Sequence, residues 1–592
     1  EDHLWRGLTF TELIQFMHAF DIIVTSFDRS LDKELVKTFE CFANLLSHCH
    51  SLVRHYSAKC LASLSTFLTN ETLTAMMDMV IPNLESTNHL ERQGAIESMV
   101  CIVDGLGLKF IPYIVLFIVP GLGRMSDPDE QVRLLATSMF ANLIKLIPLD
   151  GLQKEVDMPK NLLDLKLKQK SFIDELMNLN NVQSITMPVD INAELRSYQV
   201  DGIKWLSFLN RYKLHGILCD DMGLGKTLQT ICMMATDHFQ RLESNQDPCP
   251  SLIICPATLC FHWSSEIKKF VQDKSLVPFV YNGSVVQRTP LKKHLTTANQ
   301  RKLHNVAVIT SYEIVRSDVE MFKKFHWNYL VLDEGHAIRN AKAKTTVAIK
   351  SLRAQHRLIL SGTPIQNSVL ELWSLFDFLM PGFLGSEKQF NARYTKPIVG
   401  SRSDGPASKS VSKESKEAGV LALEALHKQV LPFVLRRMKE DVLKDLPPKI
   451  TQDYYCELSP IQKLLYEDFA KEQKDKKASA SVASADKSGG GGHQHIFQAL
   501  QYLRKVCNHP KLVLQKSHKH YDLVHQIMQE NHTTLNSLVN AAKLPALKQL
   551  LLECGIGDDN PNQVVNQHRA LVFCQLKSMM DIVENDLLKT MP

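Results

Sequence analysis

Over residues 1–150 apolar side chains recur every three or four positions, the period of a helix with one buried face, and strand-like alternation is scarce. One pattern repeats within this stretch. Arg54, Arg92 and Arg133 each stand early in a helical segment with a small residue three positions on, Ser57, Ala95 and Ala136, at separations of 38 and 41 residues. Before the last of them, Pro120 and the run Asp127-Pro128-Asp129-Glu130 read as a turn, a cap and a helix start. A period near forty predicts stacked helix pairs, each burying its apolar face on its neighbour. Polarity then rises over 151–192, where Leu163, Leu165 and Leu167 alternate with charges, and this reads as a bridging linker. From 193 to 385 the pattern changes to short apolar runs between helical stretches, as in a parallel sheet covered on both faces. Five strands are predicted: 216–219, 252–255, 306–310, 329–332 and 357–360. An amphipathic helix over 371–379, stopped by Pro381-Gly382, is expected to pack on that lobe. Residues 386–540 read as helical, with flexible insertions at 400–419 and 471–492, rich in Ser, Lys and Gly. In 541–592 a helix over 543–554 precedes a buried-strand pattern, 569–575.

Composition narrows the class. With 44% apolar and 22% charged residues among 592, the chain has the balance of a multidomain globular protein, and its net +5 is too mild to argue for a polyanionic partner. Its 13 cysteines include no CxxC pair, which predicts reduced thiols and an intracellular setting. His48-Cys49-His50 reads as ordinary helix rather than as a metal site. The apolar run 110–123 is too short to span a bilayer and holds two prolines. The chain opens at Glu1 without a signal-like segment, so a fragment is expected, with more repeats ahead of it.

The chemistry concentrates where strands end. Asp220-Asp221-Met222-Gly223-Leu224-Gly225-Lys226-Thr227 follows the first strand and opens a helix that takes in Leu228. Gly223 and Gly225 allow a tight turn with inward amides, Lys226 brings a mobile cation, and Thr227 a hydroxyl for magnesium, so the stretch cradles a triphosphate. The first glycine of the general phosphate-loop pattern is replaced by Asp220. Asp333-Glu334-Gly335-His336 follows the fourth strand. There Asp333 suits a magnesium ligand and Glu334 a group that orients attacking water. The fifth strand runs into Ser361-Gly362-Thr363-Pro364, whose small hydroxyl residues beside a glycine suit either a sensor of the terminal phosphate or a plain turn. Lys268, Lys269, Lys342 and Lys344 are available to a phosphate backbone, and Arg436-Arg437 either meet phosphates or brace carboxylates.

In sequence and order, Leu195-Arg196-Ser197-Tyr198-Gln199, the cradle, Ile254-Cys255-Pro256 with Trp263, Thr310-Ser311-Tyr312-Glu313, the Asp333 doublet and Ser361-Gly362-Thr363-Pro364 resemble the first RecA-like lobe of SWI/SNF-type ATPases in helicase superfamily two. Residues 431–449 and 502–510 are similar to the inter-lobe segments of the same family, and 569–575 to the opening of its second lobe. The period near forty fits a HEAT-type array, so with the resemblance a multidomain chain is expected: an all-α HEAT-like repeat array, then an α/β RecA-like lobe with a parallel sheet and helical insertions, then the start of a second RecA-like lobe. The resemblance further implies ATP-driven translocation on double-stranded DNA without strand separation, with ATP and magnesium bound. By the same match Gln199 contacts adenine, and Asp221, Gly223, Gly225, Lys226, Thr227 and Leu228 hold nucleotide. His336 and Ser361–Thr363 couple hydrolysis to movement, while Pro256, Trp263, Thr310, Ser311 and Tyr312 line the DNA groove. HEAT-like repeats upstream of such a motor resemble the branch that removes the TATA-binding protein from promoter DNA, which implies that protein as a partner of the repeats, transcription regulation and a nuclear setting. The alternatives are a nucleosome remodeller of the same family and a non-catalytic scaffold. Nothing resembles the later motifs that supply arginine fingers, so little turnover is expected from this chain alone.

Overall fold

The computed structural model describes residues 9–125, 127–146, 158–177, 187–245, 249–272, 275–297, 303–362, 369–401, 413–447, 449–483, 492–556 and 569–591. The chain forms two compact units, Glu1–Leu446 and Pro447–Pro592. This division cuts the expected 386–540 region and joins the helical array to the lobe in one body.

The array shows why its arginines recur. Arg54 Nη1 donates to the carbonyls of His48 and Cys49 at 2.7 and 3.1 Å, and Arg92 Nη1 to those of Ser86 and Thr87 at 2.9 and 3.0 Å. Arg133 does the same to Asp127 and Pro128, at 2.5 and 2.9 Å. Each guanidinium thus satisfies two loop carbonyls ahead of its own helix, which would otherwise go unpaired. His48-Cys49-His50 is therefore a loop held by Arg54, not a helix. The small residues three positions on, Ser57, Ala95 and Ala136, are fully buried, which lets neighbouring helices close together. Arg92 also reaches the next repeat through Asp127, with Nε 2.9 Å from one carboxylate oxygen and Nη2 3.1 Å from the other.

Residues 89–122 are apolar and long enough to resemble a membrane span, but the run breaks at Gly107 (φ 51°) and buries most of its length in the array core. The last helix of the array, Glu130–Leu146, meets the lobe through Phe140, which lies against Phe383 and Phe433 with centroids 6.2 and 5.9 Å apart. Part of the expected linker is a helix, Lys160–Met177. The leucine alternation misleads there because the helix is largely polar and anchors at buried Leu162 and at Glu175, 3.4 Å from Arg211 of the lobe.

The lobe is one seven-stranded, wholly parallel sheet: β1 Gly216–Leu218, β2 Ser251–Cys255, β3 Val277–Val280, β4 Val306–Ser311, β5 His326–Asp333, β6 Arg353–Leu360 and β7 Val434–Leu435. The spatial order is β3-β4-β2-β5-β6-β1-β7. All five expected strands are present, and two edge strands join them. β3 carries Pro278, a residue edges tolerate because one side of the strand needs no donor. Helix Val369–Leu379 packs on the lobe as expected, its Ser374 Oγ donating to Ile338 at 2.7 Å.

In the second unit, helices Pro460–Ala483, Gly492–Asn508, Tyr521–Glu530, Lys543–Glu553 and Lys577–Ile582 surround two small cores. Helix continues through Ala483 into the expected 471–492 insertion; residues 484–491 lie outside the described residues, as do 402–412 of the other insertion. Residues 569–575 are not the expected buried strand. They run without ladder partners, with Leu571 and Phe573 more than four-fifths exposed.

Replacing Arg92 by Ala leaves Asp127 buried beside Arg124 alone, and is expected to cost about 3 kcal/mol. Arg54→Ala, whose partner in the next repeat is the neutral Gln93, should cost about 1–2 kcal/mol. Urea unfolding of both variants checks the ranking; equal losses would assign the stability to the carbonyl clamps alone.

Candidate functional site

Because every strand runs the same way, all carboxyl ends open on one edge of the sheet, where ligands of such folds bind. Register makes this specific. Leu218 of β1 and Asp333 of β5 both pair with Leu360 of β6, so the three share one row. Two strand spacings, about 10 Å, separate the backbones of Leu218, which leads into the glycine turn, and Asp333. The two motifs lie on one edge, with the end of β6 between them.

The turn is built as its sequence implies. Gly223 and Gly225 have φ of 87° and 82°, in the left-handed region, and a Cβ on Gly225 would run into Gln199 Nε2. Asp220 is not among the positive-φ residues, so the cradle does not need the missing glycine there. Lys226 opens helix Lys226–Glu243, and its ammonium folds back on the carbonyls of Asp220 and Asp221 at 2.6 and 3.2 Å. Burial lowers its pKa, opposed by the nearby charges of Asp220, Glu334 and Asp333. Thr227 is half-buried in the first helical turn, and Leu228 packs toward the core, offering only its backbone to a ligand. Gln199 is buried, accepting from the Arg196 amide at 3.0 Å and donating to the Leu224 carbonyl at 3.3 Å.

Asp333 is held on three sides. The indole N–H of Trp263 donates to its Oδ2 at 2.8 Å, the Glu334 amide to its Oδ1 at 3.0 Å, and the Tyr312 hydroxyl to its carbonyl at 2.7 Å. Burial raises the Asp333 pKa, while the Trp263 and Glu334 donors and Lys226 act to lower it. Glu334 sits at φ 52° and ψ 51°, a strained conformation for a residue with a side chain, and its Oε2 lies 3.3 Å from His336 Nδ1. Gly335 is required because a Cβ there would enter Ile359. Ser361 is buried, its amide donating to the Leu218 carbonyl at 3.2 Å. A Cβ on Gly362 would lie 3.3 Å from Met222 of the turn. Thr363, with 364–368, lies outside the described residues.

The expected DNA-groove residues need correction. Trp263 is 1% exposed, Tyr312 6%, Thr310 0% and Ser311 2%, so four of the five are interior. Trp263 and Tyr312 serve Asp333 instead, and Ser311 caps helix Tyr312–Ser317. Only Pro256 is partly open, beside exposed Ala257, Thr258 and Phe261. The sequence hid this because a tryptophan early in an amphipathic helix reads equally as surface platform or core anchor. Arg437 was left open between two roles; its guanidinium embraces the Asp220 carboxylate, which is fully buried, while Arg436 is exposed.

Residues 198–512, more than half of the chain, match the family model described as the SNF2-related domain. The chain is 48% identical over 598 residues to the TATA-binding protein-associated factor 172 of Homo sapiens, covering 98% of this chain and 32% of that protein. It is 46% identical over 585 residues to the TATA-binding protein-associated factor MOT1 of Saccharomyces cerevisiae, covering 95% and 30%. The chain thus spans about a third of the length of these relatives. Among solved structures it is similar to the Sulfolobus solfataricus SWI2/SNF2 ATPase core in complex with dsDNA, at 28% identity over 69% of this chain and 72% of that one, with a TM-score of 0.38.

Trp263→Phe keeps the buried ring and removes the N–H from Asp333. With that lowering influence gone, the carboxyl's already raised pKa rises further, so it stays protonated to higher pH. Magnesium–ATP affinity, followed against pH, should fall off at a higher pH in the variant; superimposable acid limbs would remove Trp263 from the site.

Proposed function

From the premise that this chain belongs to the SNF2-related family of ATPases, we propose that it is the motor end of an ATP-driven translocase on double-stranded DNA. The protein containing it uses that motion to strip the TATA-binding protein from promoter DNA, which places it in the nucleus as a regulator of transcription. The single observation that carries the motor reading is the row Leu218–Leu360–Asp333, because it sets a phosphate cradle and an acidic doublet on one edge of the sheet. The choice of cargo draws on likeness to proteins whose names carry the TATA-binding protein, extending over nearly the whole chain.

ATP would enter with its phosphates on the amides of Gly223–Thr227, displacing the Lys226 ammonium from the loop carbonyls onto the β and γ oxygens. Adenine would lie toward Gln199. The Thr227 hydroxyl and the Asp333 carboxylate are hard oxygen donors on the same edge and suit magnesium, which when bound neutralises charge on the transferring phosphoryl group. Glu334, held by its backbone at the strand end, orients the attacking water, and His336 and Ser361–Thr363 follow the γ-phosphate. Phosphoryl transfer of this kind is positioning and charge neutralisation, so rigid placement of these groups is the protein's main contribution. Duplex DNA would run past Pro256 and the exposed loop after it, with Lys268 and Lys269 toward phosphates. The repeats, welded to the lobe at Phe140, hold the cargo so that movement of the motor is movement against it.

In the intact protein Lys226→Ala should lose magnesium–ATP binding by at least about tenfold. Glu334→Gln should keep binding while steady-state turnover drops by on the order of a hundredfold. ATPase and release assays on naked DNA, TATA-binding-protein–DNA complexes and nucleosomes then decide the substrate. Stimulation and release on the TATA complex support this reading; preference for nucleosomes moves it to remodelling, absence of turnover in the intact parent leaves a scaffold, and normal turnover of both variants removes Lys226 and Glu334 from the site.

A further inference from the structure

The cradle is not complete within its own loop. The segment Val434–Lys439, more than two hundred residues later, lies along β1 as the sheet's last parallel strand and then crosses the turn. Its backbone is bonded to the cradle at each step: the Leu435 carbonyl accepts from Cys219 N–H at 2.7 Å, the Arg437 carbonyl from Asp221 N–H at 3.0 Å, and the Lys439 amide donates to Asp221 Oδ2 at 3.1 Å.

Arg437 is the centre of this strap. Its amide and Nε donate to Asp220 Oδ1 at 3.1 and 3.0 Å, and its Nη2 pairs with Asp220 Oδ2 and donates to Gln229 Oε1 at 2.9 Å. Its Nη1 donates to the Tyr198 carbonyl, and the guanidinium lies over the Tyr198 ring, 5.5 Å from the centroid. Gln229 in turn donates to Asp220 Oδ2 and to the Leu224 carbonyl, at 3.4 and 3.3 Å. One planar cation therefore joins the first residue of the cradle, the helix behind it and the start of the Gln199 helix. Its room is provided by Gly202, where a Cβ would collide with Gln229 and crowd Arg437.

We infer that Arg437 is a positioning residue for the phosphate cradle: pairing with Asp220, it holds the glycine turn in the shape that receives the nucleotide, and does so only while the strap is seated. Asp220 supplies the reason. Its carboxylate has no exposed side-chain surface, and such a charge is tolerated only with a cation and hydrogen bonds beside it. An unseated strap strands that charge directly under the turn. Shortly after Lys439 the chain passes into the second unit at Pro447.

The inference rests on the cradle binding ATP, and the test separates the two. Magnesium–ATP affinity and nucleotide-free melting temperature are measured on the intact protein, on Arg437→Gln and on the double variant Asp220→Asn with Arg437→Gln. A parent that fails to bind ATP refutes the nucleotide site itself. Given a binding parent, Arg437→Gln should lose affinity by about tenfold or more. The double variant, with two neutral amides in place of the ion pair, should recover to within about threefold of the parent. Unchanged affinity in the single variant overturns the inference. So does a double variant that melts like the parent yet binds as weakly as the single one, since Arg437 would then act on the nucleotide directly. Where the single variant does not fold, the double variant alone decides.

Discussion

The site depends on the sheet being parallel throughout, with β6 between the strands that carry its two halves. An antiparallel neighbour would send one loop to the opposite edge, and a one-residue slip on β6 would turn Asp333 to the other face. The register Leu218–Leu360–Asp333 fixes both at once. It also fixes the electrostatics, because the strands are buried on both faces and the groups at their ends sit at the border of a low-dielectric layer. Burial pushes Lys226 down and Asp333 up, so each is destabilised as a lone charge and favoured by a ligand of opposite sign. A triphosphate beside Lys226 and a cation beside Asp333 would answer both needs together.

The array uses a different device for a similar problem. Loops between stacked helices expose carbonyls that neither helix can satisfy, and the recurrent arginine answers two of them per repeat. Where that arginine also meets a buried acid in the next repeat, as Arg92 meets Asp127, the interface is specified by charge as well as by packing. Among the described residues the last arginine shows no such continuation. Beyond Arg133 the neighbour is the lobe, and specificity passes to the aromatic contact of Phe140 with Phe383 and Phe433. Repeat array and lobe therefore share one continuous core.

What the sequence revealed follows from how local each signal is. The glycine turn and the Asp333 doublet are short motifs whose spacing to a strand end is their meaning, so reading the strands brought both to one edge of the sheet. The arginine clamps reach only five and six residues back, which is why a bare period disclosed them. The strand β7 is two residues long, and its partner lies more than two hundred positions away; no local pattern marks it. The family resemblance points Trp263 to the DNA groove, but a motif match does not give the depth of the carboxylate that the indole meets. Residues 569–575 failed in the opposite sense: their composition suits a strand, but a strand also needs neighbours, and among the described residues none pairs with it.

Asp220 ties these points together. At a backbone position where glycine is not demanded by φ, an aspartate brings a charge that the loop cannot neutralise, since Lys226 is turned to the carbonyls and not to that carboxylate. The neutralising group comes instead from the distant strap, with the cost of closing so long a loop growing only slowly with its length. A glycine at 220 would give a cradle that forms from its own residues. The aspartate makes the cradle conditional on a segment that leads out of the lobe, and that conditionality costs little when the strap is seated and much when it is not.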